Sequence, residues 1–362
     1  MKYSYILLIL ICMILSACIT RKAAFSGTPF PTYESIEAAD FDPEKLDQLT
    51  TFIEENARTT GMVVLYKGKM IYSYGDIQKV SYIASCRKSI LSMLYGKYVD
   101  NGTIDLDQNI GALGINEKDG LLPKEKEATI DHIITSRSGV FHVAANGGYD
   151  KGNFLERGSV EPGSYWVYNN WDFNVAGHIF EQYAGKSIYE EIEEQFAKPL
   201  GFEDWNIKNQ KKYGKKSKSQ YPAYHMYFST RDMAKLGQLM LNEGEWNGQQ
   251  LISKEWIEKT TSMVTPFETL VERFGPAHPN AVHMSYGYMW WLVENYRGKE
   301  VYKGAYQASG YGGQFITVLP EMEMVITHKT KLDLLTMTGI TYKETSGDVY
   351  WQMIDQIVEA KR

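Results

Sequence analysis

SYIASCRKSILSMLYG, residues 81–96, decides the fold. It is an apolar, helix-forming run that Asp100-Asn101-Gly102 stops, and it opens with Ser85 and Lys88 three positions apart. On a helix that spacing is about 300° of rotation and about 4.5 Å of rise, so the two side chains leave neighbouring points of one face. A lysine held in such a run is partly desolvated, which disfavours its charged form and makes it a candidate base for the hydroxyl beside it. A serine at the helix start also has free backbone N–H groups and the positive end of the helix dipole to steady an oxyanion. The plainer reading makes Ser85 an N-cap and Lys88 a surface residue. Ser-x-x-Lys is a common pattern, yet no other serine in this chain is followed by lysine at the third position.

Two further segments complete a constellation. In GSYWVYNNWDFNVAG, Tyr168 precedes Asn170 by two, just ahead of a helical pattern; it is the only tyrosine here with asparagine at that offset. A phenol near Ser85 and Lys88 can relay a proton, and the Asn170 amide can hold the lysine and a substrate carbonyl. The segment ASGYGGQF, 308–315, is a glycine-rich turn into a strand. Gly310, Gly312 and Gly313 let backbone approach a ligand closely, and the N–H of Tyr311 is the candidate second oxyanion donor beside that of Ser85. Taken alone, this turn reads as a β-bulge. His225, ahead of a helical pattern at 230–242, is a candidate to touch substrate, with a structural role as the alternative.

The 362 residues carry a formal charge of −6, or −7 without Lys2, so nothing draws the chain broadly to phosphate backbones and nucleic acid is not an expected partner. Seven histidines lack His-Glu-x-x-His or similar ligand spacing, so neither metal nor other cofactor is expected. Lys2 and the apolar run from Ile6 to Leu15 read as a signal peptide, residues 1–17. Leu15-Ser16-Ala17-Cys18 resembles the bacterial lipobox, which implies acyl chains on Cys18 and a lipid-anchored tether over 18–40. Localisation at the bacterial cell envelope follows from that reading. Cys12 leaves with the signal, so Cys86 stands alone and no internal disulfide is expected.

Amphipathic helices are expected at 41–58, 130–135, 173–183, 189–196, 230–242, 254–262 and 348–360, and strands at 62–66, 70–74, 286–293, 313–319 and 324–328. That order makes the two ends of the chain build one antiparallel sheet while the middle forms a helical lobe. The boundaries are one catalytic domain, 41–362, with an α/β lobe from about 41–84 and 284–362 and a helical lobe at about 85–283. The lysine run KNQKKYGKKSK, 208–218, reads as a solvated loop.

SCRKS and YNN, with the stretches TIDHIITSRSGV and FSTRDMAKLGQLMLNEGEWNGQQLIS, make the chain resemble the β-lactamase and penicillin-binding-protein superfamily. The likeness runs from the hairpin at Met62 to the strand ending near His328. It implies an α+β fold, an antiparallel sheet flanked by helices plus an all-helical lobe, with Ser85 as acyl-enzyme nucleophile in the cleft. It implies a serine hydrolase of small ester, amide or peptide substrates, activated by Lys88 and Tyr168, with the formal base unassigned between them. The third box departs from the family pattern: Ala308-Ser309-Gly310 stands where β-lactamases have Lys-Thr-Gly and many esterases or D-peptidases have His-x-Gly. That puts efficient β-lactam hydrolysis in doubt, and GYGGQF resembles the branch of 6-aminohexanoate-oligomer hydrolases and carboxylesterases. The alternatives are a D-peptidase or β-lactamase, and a non-catalytic lipid-anchored binding module on the same fold.

Overall fold

The computed structural model describes residues 27–147, 151–276, 281–332 and 345–362. The expected signal peptide, Cys18 and the first part of the tether lie outside them.

Helix α1, Pro43–Asn56, starts where the Asp42 carboxylate accepts the Glu44 N–H at 3.0 Å and Pro43 fills the first turn. Strands β1, Thr59–Tyr66, and β2, Lys69–Gly75, form a hairpin. Its two-residue turn places Lys67 at φ 48° and Gly68 at φ 73°, the left-handed pair that matches strand twist. Helix α2, Cys86–Asp100, follows, then α3, Asn170–Ala184, α4, Thr230–Leu241, and α5, Phe267–Phe274. Strands β3, His283–Tyr286, β4, Trp291–Asn295, β5, Tyr306–Gly310, β6, Gln314–Leu319, and β7, Met324–Thr330, precede the closing helix α6, Gly347–Glu359.

The seven strands make one antiparallel sheet in the order β2-β1-β7-β6-β5-β4-β3, so the N-terminal hairpin pairs with the C-terminal strand, Val64 opposite Ile326. The fold is the expected α+β arrangement. Alternation sorts each central strand between two cores. Met62, Val64 and Ile326 pack with Leu46, Leu49 and Ile354 of α1 and α6. Val63, Leu65 and Val325 pack on the other face with Leu236 of α4 and Ile90 of α2. Helix α2 is buried on nearly every side, which explains a run too apolar for a surface helix.

Three details differ from the sequence expectation. The single strand expected at 286–293 is a hairpin, with Met289 at φ 64° in the turn between β3 and β4. Helix α5 and strand β5 carried no sequence expectation as elements. The helix at 189–196 is Ile188–Ile192 continued by a wider turn over Glu193–Ala197. The six lysines of 208–218 are exposed, with Lys211–Tyr213 paired to Ala223–His225.

Candidate active site

Ser85 stands at the N-terminus of α2, behind a strained residue. Ala84 is buried with φ 49°, a left-handed conformation that costs a non-glycine residue roughly 1–2 kcal/mol and turns the chain sharply into the helix. The approach is pinned by Lys329 of β7, whose buried amine donates to the carbonyls of Lys79, Ser81 and Phe228. Burial pushes that amine down to about 7. Beyond the turn, the Cys86 thiol donates to the Gln314 carbonyl at 3.1 Å, locking the helix start to β6. The Ser85 side chain caps nothing and is half-buried at the cleft floor, so its hydroxyl is available.

Lys88 lies one turn on, 1% exposed, with its amine donating to Ser85 Oγ at 3.1 Å and to the Tyr168 hydroxyl at 2.6 Å. The rings of Tyr168 and Phe173 stand 3.9 and 4.1 Å from it, and no carboxylate pairs with it among the described residues. Burial first, and the Arg87 charge second, hold the amine well below its ordinary value. Arg87 is itself buried, seated 4.4 Å over the Tyr224 ring. Burial drives the Tyr168 phenol the other way, up to about 12 against the opposing pull of its hydrogen bond to Ser85. Burial thus favours the neutral form of the Lys88 amine and the protonated form of the Tyr168 phenol.

Tyr168 reaches this point on a clamped loop. Ser136, at φ 60°, donates its hydroxyl to the Val167 carbonyl at 2.7 Å and accepts the Val167 N–H on its own carbonyl at 3.1 Å. Asn169 caps α3 by accepting the Trp171 N–H. Asn170 is the first helical residue and lines the cleft, but its Nδ2 donates to the Gly147 carbonyl at 2.6 Å. Its amide therefore does not hold Lys88, which corrects that part of the sequence expectation, and among the described residues its buried Oδ1 has no partner.

Opposite Ser85, strand β5 ends at Gly310. A Cβ there would sit 2.5 Å from the Ile83 carbonyl and 3.2 Å from Cys86 Sγ, so only glycine lets β5 come this close to the start of α2. Gly312 and Gly313, at φ 78° and 95°, turn the chain into β6, and Thr330 and His328 fix that turn by binding their carbonyls. Among the described residues neither the Ser85 N–H nor the Tyr311 N–H has a hydrogen-bond acceptor. Both are free to serve one oxyanion.

Ser85, Tyr168, Asn170, Gly310, Tyr311, Gly312 and Gly313 line one cavity of about 600 Å³. His225 does not line it: the imidazole packs at a tilt against Tyr82, 4.7 Å between ring centroids, and Tyr213, 5.5 Å, and burial lowers it to about 4. The candidate substrate contact is thus a packing residue: the pairing of Lys211–Tyr213 with Ala223–His225 brings the Tyr213 ring to it, and the pairing of Ser81–Tyr82 with Tyr227–Phe228 brings the Tyr82 ring. A larger hollow, about 760 Å³, lies by Phe30, Lys198 and Trp246. Its buried Lys235 is saturated by the Thr28 and Gly201 carbonyls and Glu203.

A sequence model of the beta-lactamase family matches residues 47–332. The chain belongs to the beta-lactamase family. It is a hydrolase of that family. A Bacillus anthracis structure named as a 6-aminohexanoate-dimer hydrolase superposes with TM-score 0.67 at 21% identity, over 93% of this chain and 88% of that one. A family VIII carboxylesterase does so with TM-score 0.61 at 14% identity, over 92% and 99%. Both likenesses are of fold. An uncharacterized protein of Alkalihalophilus pseudofirmus is 26% identical over 264 residues, 67% of this chain and 71% of its own length.

The sequence pattern also left several site residues unread. Ser136 and Trp291 carry no motif, while Lys329, a charge inside the apolar strand Met324–Thr330, is a signal that could have been taken.

Proposed function

We propose that this protein is a serine esterase or amidase working through an acyl-enzyme on Ser85. One observation carries the proposal: a buried, unpaired lysine amine within hydrogen-bond distance of both a cleft-floor serine hydroxyl and a neutral phenol. As Ser85 Oγ bonds to the substrate carbonyl carbon, its proton passes to Lys88 Nζ, and the carbonyl electron pair moves onto oxygen between the N–H groups of Ser85 and Tyr311. When the tetrahedral species collapses, the C–O or C–N bond breaks and the leaving group takes the Tyr168 proton, which the Lys88 ammonium restores. Water then repeats the sequence on the acyl-enzyme. Lys88 is assigned as base because its amine is the group whose neutral form burial favours; Tyr168, held at about 12, carries protons as a phenol.

The missing third-box cation supports simple acyl esters or amides over β-lactams, whose carboxylate such a cation would greet. The test is a fluorophosphonate probe together with short nitrophenyl esters, nitrocefin and D-Ala peptides. Labelling and ester turnover that vanish in Ser85→Ala are expected. Labelling that survives the substitution refutes the covalent role of Ser85, and absence of all turnover leaves the binding-module alternative standing. The lipobox supports a second part of this proposal, acylation at Cys18 and attachment to the bacterial envelope. Detergent-phase partitioning in cells should then be lost in Cys18→Ser.

A further inference from the structure

The walls of the cleft say what kind of substrate it suits. Among its described lining residues there is no lysine, arginine or histidine; Lys88 lies beneath the floor, and Asp348 is the single charged group. Asp348 is exposed, in the first turn of α6, and among the described residues it has neither an ion-pair nor a hydrogen-bond partner. Six aromatic residues line the same cavity: Tyr168, Phe274, Trp291, Tyr311, Phe315 and Trp351. Their distribution is not that of a sealed core, since Phe274 and Tyr311 are each about half exposed, at 56% and 47%.

We propose that the cleft selects substrates bearing an ammonium or quaternary ammonium group, held by the Asp348 carboxylate against the aromatic wall. This rests on the acyl-enzyme reading above and names the substrate class for that same site. An aromatic face attracts a cation through its quadrupole, and a carboxylate adds a Coulombic pull that an anion feels as repulsion. The start of α6 opposes this, because a helix N-terminus carries about half a positive charge. A full negative charge on Asp348 outweighs it, so among the described lining residues the sign stays negative. The usual family device, a cation in the third box for a substrate carboxylate, is thereby replaced by its opposite. Gln307 and Ser309, the other polar side chains that β5 brings to the cavity, are neutral and do not alter that sign.

Binding is tested without turnover, on the full chain, by titrating tryptophan fluorescence with phenyltrimethylammonium, neutral 4-tert-butylphenol and anionic 4-tert-butylbenzoate. The cation is expected to bind about tenfold tighter than the neutral probe, and the anion weakest. Asp348→Asn should bring the cation-to-neutral ratio near one, Asp348→Glu should keep it, and raising salt should shrink it. Equal or tighter binding of the anion, or a cation preference that persists in Asp348→Asn, overturns the proposal. Matched nitrophenyl esters ending in trimethylammonium, tert-butyl or carboxylate give the kinetic arm, with the preference expected in KM. If none of the three esters turns over while the binding order holds, the acyl-enzyme reading fails and the cation site stands. If all three turn over without charge order, the reverse is true.

Discussion

Replacing Lys88 with methionine separates catalysis from stability more sharply than any other single change here. The amine is 1% exposed, has no carboxylate partner among the described residues and makes its hydrogen bonds to two hydroxyls. As a general base it is expected to supply about 10²- to 10⁴-fold in acylation, roughly 3–5 kcal/mol of barrier. Methionine keeps the length of the stem and can pack its sulfur on the Tyr168 and Phe173 rings that now lie 3.9 and 4.1 Å from the nitrogen. The substitution loses two hydrogen bonds, worth about 1 kcal/mol each, and removes the cost of burying an ionisable amine, which is several kcal/mol. Burial therefore decides the sign. Lys88→Met should lose at least a hundredfold in kcat/KM for a short acyl ester while its Tm stays level or rises by a few degrees. Steady-state kinetics, probe-labelling rate and a thermal melt measure all three quantities on one preparation. More than a tenth of the wild-type activity would remove Lys88 from the chemistry. A Tm lowered by many degrees would show that the amine is a structural tie and not a stored cost.

Other outcomes follow from the same geometry. In the proposed mechanism the active form of Lys88 is the neutral amine, and its folded-state value lies well below the ordinary one, so kcat/KM should climb with pH through that lowered value, then hold level until the phenol of Tyr168 begins to ionise toward about 12. The unfolded chain binds the lysine proton at its ordinary value of about 10.4, so between the two values this residue makes stability rise with pH, and a pH series of melts on wild type and Lys88→Met should diverge in that sense. Tyr168→Phe keeps the ring that packs on Phe173 and Trp291, so it should fold with little change in Tm while losing roughly 10²-fold or more in kcat, and unchanged kcat would refute the relay. Gly310→Ala places a Cβ 2.5 Å from the Ile83 carbonyl; it should cost about 1–3 kcal/mol in stability and most of the activity, and a fully active variant would show that β5 need not sit so close to Ser85.

Much of this site was legible because its chemistry is local in sequence. Ser85 and Lys88 share one helical turn, and Tyr168 lies just ahead of the helix whose start carries Asn170, so a spacing and a helix boundary were enough to nominate them. Gly310 was legible as a close approach, though what it approaches, the Ile83 carbonyl, required coordinates. The misreadings concern partners that only tertiary packing decides. Whether an amide at 170 faces a lysine or a loop carbonyl depends on where residue 147 passes. Of the two readings open for His225 the structure shows the structural one, and a lone histidine near a helix carries no sign of the two tyrosine rings that pack on it. The hairpin within 283–295 was hidden by an uninterrupted apolar run, in which Gly287 was the only punctuation and the left-handed residue is Met289.

The division of labour in the cleft follows from which elements can hold strain. Ala84 and Ser136 keep left-handed backbone in buried surroundings, Ser136 tied by its own hydrogen bonds to Val167 and Ala84 held between the bonded Ile83 and Cys86, and between them they set the serine and the phenol around one amine. That part of the site tolerates little change, since each side chain there is positioned by contacts from two or three distant segments. The rim is built differently. Asp348 and Tyr311 are exposed side chains, so substitution there is expected to alter what is recognised without disturbing the amine below. Loss of the third-box cation is a change of the same class in physical terms: it removes an attraction at the substrate's edge and leaves Ser85, Lys88 and Tyr168 in hydrogen-bonded contact. Specificity in this chain is accordingly expected to move through rim substitutions that change KM for charged substrates. Substitutions on the floor should instead change kcat for all of them together.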